Sequence, residues 1–288
     1  MTTLHKSALI QLILSMAIFG SVGFFSGLSG LSAVELVFIR CVCAMILIGC
    51  VWWFGGMYRT EIWKRREIVI VLLCGTTLLL NWVFLFKSFE LTSVTVAISL
   101  YHLAPVIAMI LGSVIFREKL TWLGLGAILL CFAGTLLIVG VGQSGGGFQL
   151  TGAIYAIIAA FFYAATMLLG KSIHTLSVYA TTFIQMLLSM ILLLPFVSWT
   201  AYTGLDEMNW TYSIITGVVH TGIVYLLFYN SVRYLPTRMI SALVFVDPAV
   251  AILLDVLLTG FRPNVWQWGG ILLIFAGMYY IVRPQTQK

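Results

Sequence analysis

The chain has 288 residues, of which 61% are hydrophobic and only 8% charged, with a net charge of +6. A water-soluble domain takes about a quarter of its residues from the charged set to cover its surface, so lipid must face most of this molecule and no soluble domain fits beside the helices. The excess of positive charge does not call for nucleic acid, because the basic residues gather in short loops on one side of the predicted membrane.

Ten apolar stretches, each close to the 20 or so residues that a spanning helix needs, run in order at 8–28, 34–54, 68–88, 93–115, 121–141, 150–170, 178–198, 211–231, 237–260 and 265–283. Helices are predicted because a helix satisfies its own backbone hydrogen bonds in lipid. The stretch 68–80 lacks the period-two alternation of a barrel strand. The first span follows His5 and Lys6 and loosely fits a signal peptide; because it has a counterpart in the middle of the chain, it reads as a retained helix. Span two carries Glu35 and Arg40 near its outer end, read as a structural pair. Span three ends in an aromatic and polar face with Thr77, Asn81, Trp82 and Phe86. Span four contains His102, span eight His220, Tyr225 and Tyr229, and span nine Asp247 before Pro248. All five cysteines lie in apolar runs without metal-ligand spacing and read as small packing residues.

With the N-terminus inside, 12 of the 15 Lys and Arg fall on the cytoplasmic side, Arg40 lies within a span, and Lys87 and Arg262 fall outside. The positive-inside rule therefore puts both termini in the cytoplasm. Trp82 is the one tryptophan predicted away from span ends and loops, where indoles favour the headgroup level.

Displacing the chain by 143 residues aligns 103–139 with 246–282 without a gap, with 12 identities in 37 positions, Pro105/Pro248 and Gly134/Gly277 among them. Each repeat holds five spans, an odd number, so the second is expected upside down relative to the first. Inverted repeats of this kind recur in transporters, with the substrate site near the midplane between them. The expected fold is all-α, ten transmembrane helices as two inverted five-helix repeats, 1–143 and 144–288.

The block Asn81-Trp-Val-Phe-Leu-Phe-Lys-Ser88, the stretch from Ala97 to Pro105, Arg117-Glu118-Lys119-Leu120 and the run from Gly124 to Gly134 resemble the EamA-type drug/metabolite transporters. The resemblance covers essentially the whole chain. It implies a bacterial inner-membrane carrier, often an exporter of amino acids, other metabolites or toxic compounds, with a cavity lined mainly by helices one, three, four, six, eight and nine. The second half departs from the pattern at Phe261, which stands where the first repeat has Glu118.

Two catalytic patterns, Gly142-Gln-Ser-Gly-Gly146 and Gly140-Val-Gly-Gln-Ser-Gly145, lack the strand–turn–helix context that gives them meaning and read as a flexible linker. Asn209-Trp-Thr211 is a glycosylation sequon that matters only in a secretory pathway. Ionisable groups inside spans are functional candidates by default. Asp247 reads as a proton or cation site or as a structural acid, and His102 and His220 as titrating groups or as polar helix contacts. Trp82 and Phe86, four residues apart, and their counterparts Tyr225 and Tyr229 share helix faces, as cavity walls or as packing; cavity aromatics suit flat apolar groups or organic cations. Asp255, nearer the outer surface, ranks lower. The small residues Ala127, Gly134, Gly270 and Gly277 suit close helix approach, within a monomer or in a homodimer.

The candidate substrate-binding set is Asn81, Trp82, Phe86, Tyr101, His102, His220, Tyr225 and Tyr229, with Asp247 as the candidate for proton coupling. No catalytic residue, metal ligand or cofactor is expected, and the partners are a small-molecule substrate and the bilayer, not nucleic acid. The leading expectation is a secondary carrier that works by alternating access, exporting a small amphipathic metabolite. The alternative is an intramembrane enzyme acting on lipid, and a scaffold or receptor would leave the repeat without a mechanical reason.

Overall fold

A computed structural model describes residues 3–92, 94–139, 150–258 and 262–282. The glycine-rich stretch between the halves, Phe261 and the side chain of Asp255 lie outside the described residues. Every regular element among them is helical: α1 (Thr3–Gly20), α2 (Val22–Gly27), α3 (Ala33–Phe54), α4 (Arg65–Leu91), α5 (Val94–Tyr101), α6 (Ala104–Ile115), α7 (Trp122–Val139), α8 (Leu150–Lys171), α9 (Val178–Leu193), α10 (Glu207–Gly217), α11 (Val224–Val232), α12 (Thr237–Leu243), α13 (Val246–Leu258) and α14 (Val265–Val282), with short 3₁₀ turns in the loops. Local chemistry sets several starts: Ser177 caps α9 by accepting from the Ala180 amide, and Asp206 and Asn209 close a capping box on α10.

Among the described residues, seven segments are long and apolar enough to cross a membrane: Leu4–Gly27, Ala33–Phe54, Arg65–Ser88, Leu150–Lys171, Val178–Phe196, Glu207–Val232 and Val265–Val282. The predicted fourth and ninth spans are each broken in two. Proline has no amide hydrogen, and its ring collides with the carbonyl four residues back. Accordingly α5 stops at Tyr101, four before Pro105, and α12 stops at Leu243, next to Val244, four before Pro248. The predicted fifth span appears as a 17-residue apolar helix, Trp122–Ile138. Between α10 and α11 the chain widens into a π-helix, Val218–Ile223.

Among the larger helix contacts are α4 with α8, α1 with α11, α6 with α8, α1 with α13, α3 with α9, α4 with α9, α6 with α12 and α7 with α14. Replacing helices by their counterparts in the other half returns most of these pairs: α4–α8 becomes α11–α1, α6–α8 becomes α13–α1, and α3–α9 and α7–α14 map onto themselves, whereas α6–α12 has no such match. Helices α7 and α14 run antiparallel. Ile138 meets Gln267, a Cβ placed on Gly134 would lie 2.6 Å from the Gly270 carbonyl oxygen, Cys131 Sγ reaches the Ile274 carbonyl at 3.5 Å, and Gly277 abuts the Ala127 carbonyl. The small residues thus make their contact within one chain.

Candidate functional site

The predicted site residues come from α4 (Asn81, Trp82, Phe86), the end of α5 (Tyr101), the α5–α6 break (His102), the π-helix (His220), α11 (Tyr225, Tyr229) and the first turn of α13 (Asp247). The structure brings most of them together. Trp82, the one buried tryptophan of the nine, meets Tyr225 edge-on with ring centroids 6.1 Å apart. Tyr225 also contacts Tyr229 at 5.7 Å and Phe19 of α1 at 5.5 Å. Tyr101 stacks on Tyr163 of α8 at 5.3 Å, within electrostatic range of Tyr225. The Asn81 carboxamide lies beside the Tyr101 hydroxyl, and its Oδ1 is buried without a hydrogen-bond partner. Phe86 is partly buried against the same core.

Asp247 stands next to this ring cluster, within electrostatic range of Tyr101 and Tyr163. Its backbone carbonyl presses on α1, 2.7 Å from where a Cβ on Gly20 would sit. Its carboxylate accepts no hydrogen bond among the described residues. His102 donates through Nδ1 to the Ile98 carbonyl, 2.9 Å away, and stacks on Phe245 at 6.2 Å. His220 turns away from the cluster. Its Nε2 bonds Ser21 Oγ at 2.8 Å and its ring lies 5.0 Å from Phe25, which ties the π-helix to the α1–α2 junction.

Two residues outside the predicted set complete the cluster. One is Tyr163. The other is Arg40, and here the sequence reading needs correction: Arg40 does not pair with Glu35. Five residues along a helix is about 140° of rotation, so the two side chains leave α3 on different faces. Glu35 instead accepts from the Ser198 amide at 3.0 Å and from the Ser32 hydroxyl. Arg40 turns inward, donates Nε–H to Thr221 Oγ1 at 2.9 Å, and holds its guanidinium carbon 5.3 Å from the Trp82 ring centre.

Three contacts join residues 143 apart, the repeat offset: Trp82 with Tyr225, His102 with Phe245, and Cys131 with Ile274. A two-fold relation between the halves would place such self-counterpart contacts on its axis.

Below Tyr229, on the predicted cytoplasmic side, a cleft of about 390 Å³ is lined by Glu61, His174, Ser177, Asn230 and Arg233, among others. Burial holds the Arg233 guanidinium below its ordinary value, and it donates to the Leu176 carbonyl at 2.7 Å and to Thr181 Oγ1 at 3.1 Å. The same side carries two carboxylate clasps. Glu67 accepts from the amides of His174, Thr175 and Leu176. Glu118 pairs with Lys171 at 2.8 Å and accepts from the Thr237 amide at 2.8 Å.

A bundle of apolar helices around a buried cluster of rings, with one acid and one cation inside it, defines a multi-pass membrane protein built around a polar interior. The family model of the EamA-like transporters matches residues 6–140 and again 150–283, and the chain belongs to that family. A protein of Bacillus subtilis (strain 168) named uncharacterized transporter YxxF is 53% identical over 283 residues, covering 97% of this chain and 91% of that one. A solved crystal structure matches with a TM-score of 0.81 at 15% identity, covering 96% of this chain and 97% of that one; at that identity the likeness is one of fold. The protein is a membrane transporter.

Proposed function

We propose that the protein is a secondary carrier that moves a small metabolite, amino acid or drug-like compound across the inner membrane by alternating access. Its ten crossings form two inverted five-helix repeats, 1–143 and 144–288, with both termini in the cytoplasm. The observation that carries this reading is the set of three touching pairs 143 residues apart. The antiparallel course of α7 and α14, which are counterparts, supports the inversion, because parallel repeats would set counterparts parallel. A carrier of this type has its site at the repeat interface near the midplane, and the contact of Trp82 with Tyr225, with Tyr101 close by, supports a site there. The cleft at Asn230 and Arg233, within one turn of Tyr229, supports access from the cytoplasm. Export as the direction, and a proton at Asp247 as the coupling ion, follow from the family resemblance and from the unpaired carboxylate. An intramembrane lipid enzyme would need its acids and bases together, whereas His102, His220 and Asp247 face different partners.

Vesicle experiments test this. Purified protein in vesicles should catalyse saturable counterflow of at least one member of a metabolite panel, with no nucleotide added. Cysteine tags at residue 205 and at the C-terminus should label from opposite sides. Tags labelling from one side only would refute the inverted arrangement, and a vesicle protein that conducts none of the panel would refute the carrier.

A further inference from the structure

The side chain least accounted for by the fold is Arg40. It lies two turns into α3, is 5% exposed, and sits in a span of mean hydropathy 2.4. Among the described residues no carboxylate pairs with it, and the guanidinium makes a single hydrogen bond, from Nε to Thr221. Its terminal nitrogens, the fork that binds planar anions, have no acceptor among the described residues. A cation in this position is among the costliest groups to keep in a membrane and marks a site unless something neutralises it.

The backbone opposite Arg40 is rebuilt to receive it. Thr221 donates to the Thr216 carbonyl, five residues back, at 3.0 Å, which leaves a lone pair of its oxygen for Arg40 Nε. Gly217, at the start of the same distortion, presses on α3 so closely that an added Cβ would lie 2.5 Å from Cys43 Cβ and 3.2 Å from Arg40 Cα. The equivalent stretch of the first half, 75–80, is regular helix within α4. The π-helix therefore belongs to the Arg40 contact and not to the repeat, and π-bulges concentrate at functional sites.

The chemistry of the occupant follows. A guanidinium fork matches an oxyanion in two parallel hydrogen bonds. Arg40 is one charge, and the acid in the cluster, Asp247, makes no ion pair with it, so the complement is a monoanion. The walls beside it are the faces and edges of Trp82, Tyr225 and Phe19, which suit an apolar body. The organic cation that aromatic walls alone would suggest is disfavoured, because Arg40 already occupies the Trp82 ring. We propose that Arg40 receives the carboxylate of the transported solute, with its apolar body against Trp82 and Tyr225, so that the substrate class is small organic acids. This rests on the carrier reading above.

The test uses the full-length protein in detergent and in vesicles, with phenylacetate, hydrocinnamate and hexanoate, each beside its amide and the corresponding amine. At least one acid should raise the unfolding temperature saturably, with its amide and amine binding tenfold or more weakly. R40K keeps the charge without the fork and should weaken the acid at least tenfold; R40Q should bind acid and amide alike. The inference is overturned if no acid binds, if the amide or amine matches the acid, or if R40K and R40Q keep the acid preference. Should R40Q fail to fold, R40K alone decides, since it preserves the buried charge. Counterflow of an amine or amide, unaffected by R40K, would leave the carrier standing and remove the acid specificity. Saturable, Arg40-dependent acid binding without flux would do the reverse.

Discussion

Gly134→Ala should destabilise the protein, while Gly126→Ala, two turns earlier on the same helix, should not. A Cβ at Gly134 would lie 2.6 Å from the Gly270 carbonyl oxygen and 2.9 Å from Ile274 Cγ1; nothing lies within 4 Å of the same atom at Gly126. Reaching an ordinary contact of 3.4 Å requires α7 and α14 to part by about 0.8 Å. The obstacle is backbone and cannot rotate aside. Overpacking of this kind costs about 1–3 kcal/mol, and helix propensity returns about 1 kcal/mol when Ala replaces Gly, so the net loss at Gly134 is about 0–2 kcal/mol, which leaves it about 1–3 kcal/mol below Gly126→Ala. Gly126→Ala keeps only the gain. Gly270→Ala makes the reciprocal clash, 2.5 Å from the Gly134 carbonyl, and one separation relieves both, so the double variant should lose less than the sum of the singles. SDS-titrated unfolding in mixed micelles measures all four proteins. A Gly134→Ala protein as stable as Gly126→Ala, or strict additivity in the double variant, would refute the close antiparallel crossing.

Trp82→Ala should cut transport well below Trp268→Ala at equal folded abundance, because Trp82 is 7% exposed in the ring cluster and Trp268 is 47% exposed at a predicted interface; equal losses in vesicle flux would remove Trp82 from the site. Asp247→Asn should abolish pH-driven transport while sparing substrate-for-substrate exchange, which needs no net proton movement; undiminished pH-driven flux would end the coupling role. Glu118→Ala strands the Thr237 amide and leaves Lys171 only the Leu235 carbonyl and the Phe116 ring, and losing charge-assisted bonds should cost about 1.5–3 kcal/mol; Glu118→Gln, which still accepts from Thr237, should cost less in the same unfolding titration.

Much of this was legible because the determinants are local. Hydropathy marks where helices run, and Pro105 and Pro248 carry the breaks in their own covalent structure, although a proline in an apolar run reads equally well as a kink within one helix. The residues of the ring cluster were legible as helix faces. Their meeting was not, since an alignment at offset 143 says which residues correspond and not which ones touch. Arg40 was misjudged for a reason visible in the sequence: the five-residue spacing from Glu35 already points the two apart. Tyr163 carried no usable signal. It lies on an alanine-rich helix, and its role comes entirely from the ring that α5 brings against it. The π-helix was likewise hidden, because its widening depends on a partner on α3.

In the proposed inverted repeat, the three pairs 143 residues apart lie on the axis, and this has a mechanical consequence. If the halves trade shapes during the cycle, every off-axis distance is exchanged for its mirror distance on the opposite face, but a pair on the axis is its own partner and keeps its separation. Cys131 and Ile274 would then act as a fulcrum. Bridging Cys131 to a cysteine at 274 should leave flux intact, whereas a bridge between Glu118 and Thr237 should arrest it. The paired positions on the axis are also unlike, Trp against Tyr and His against Phe, so a solute held there meets unlike walls on a frame that moves as a matched pair.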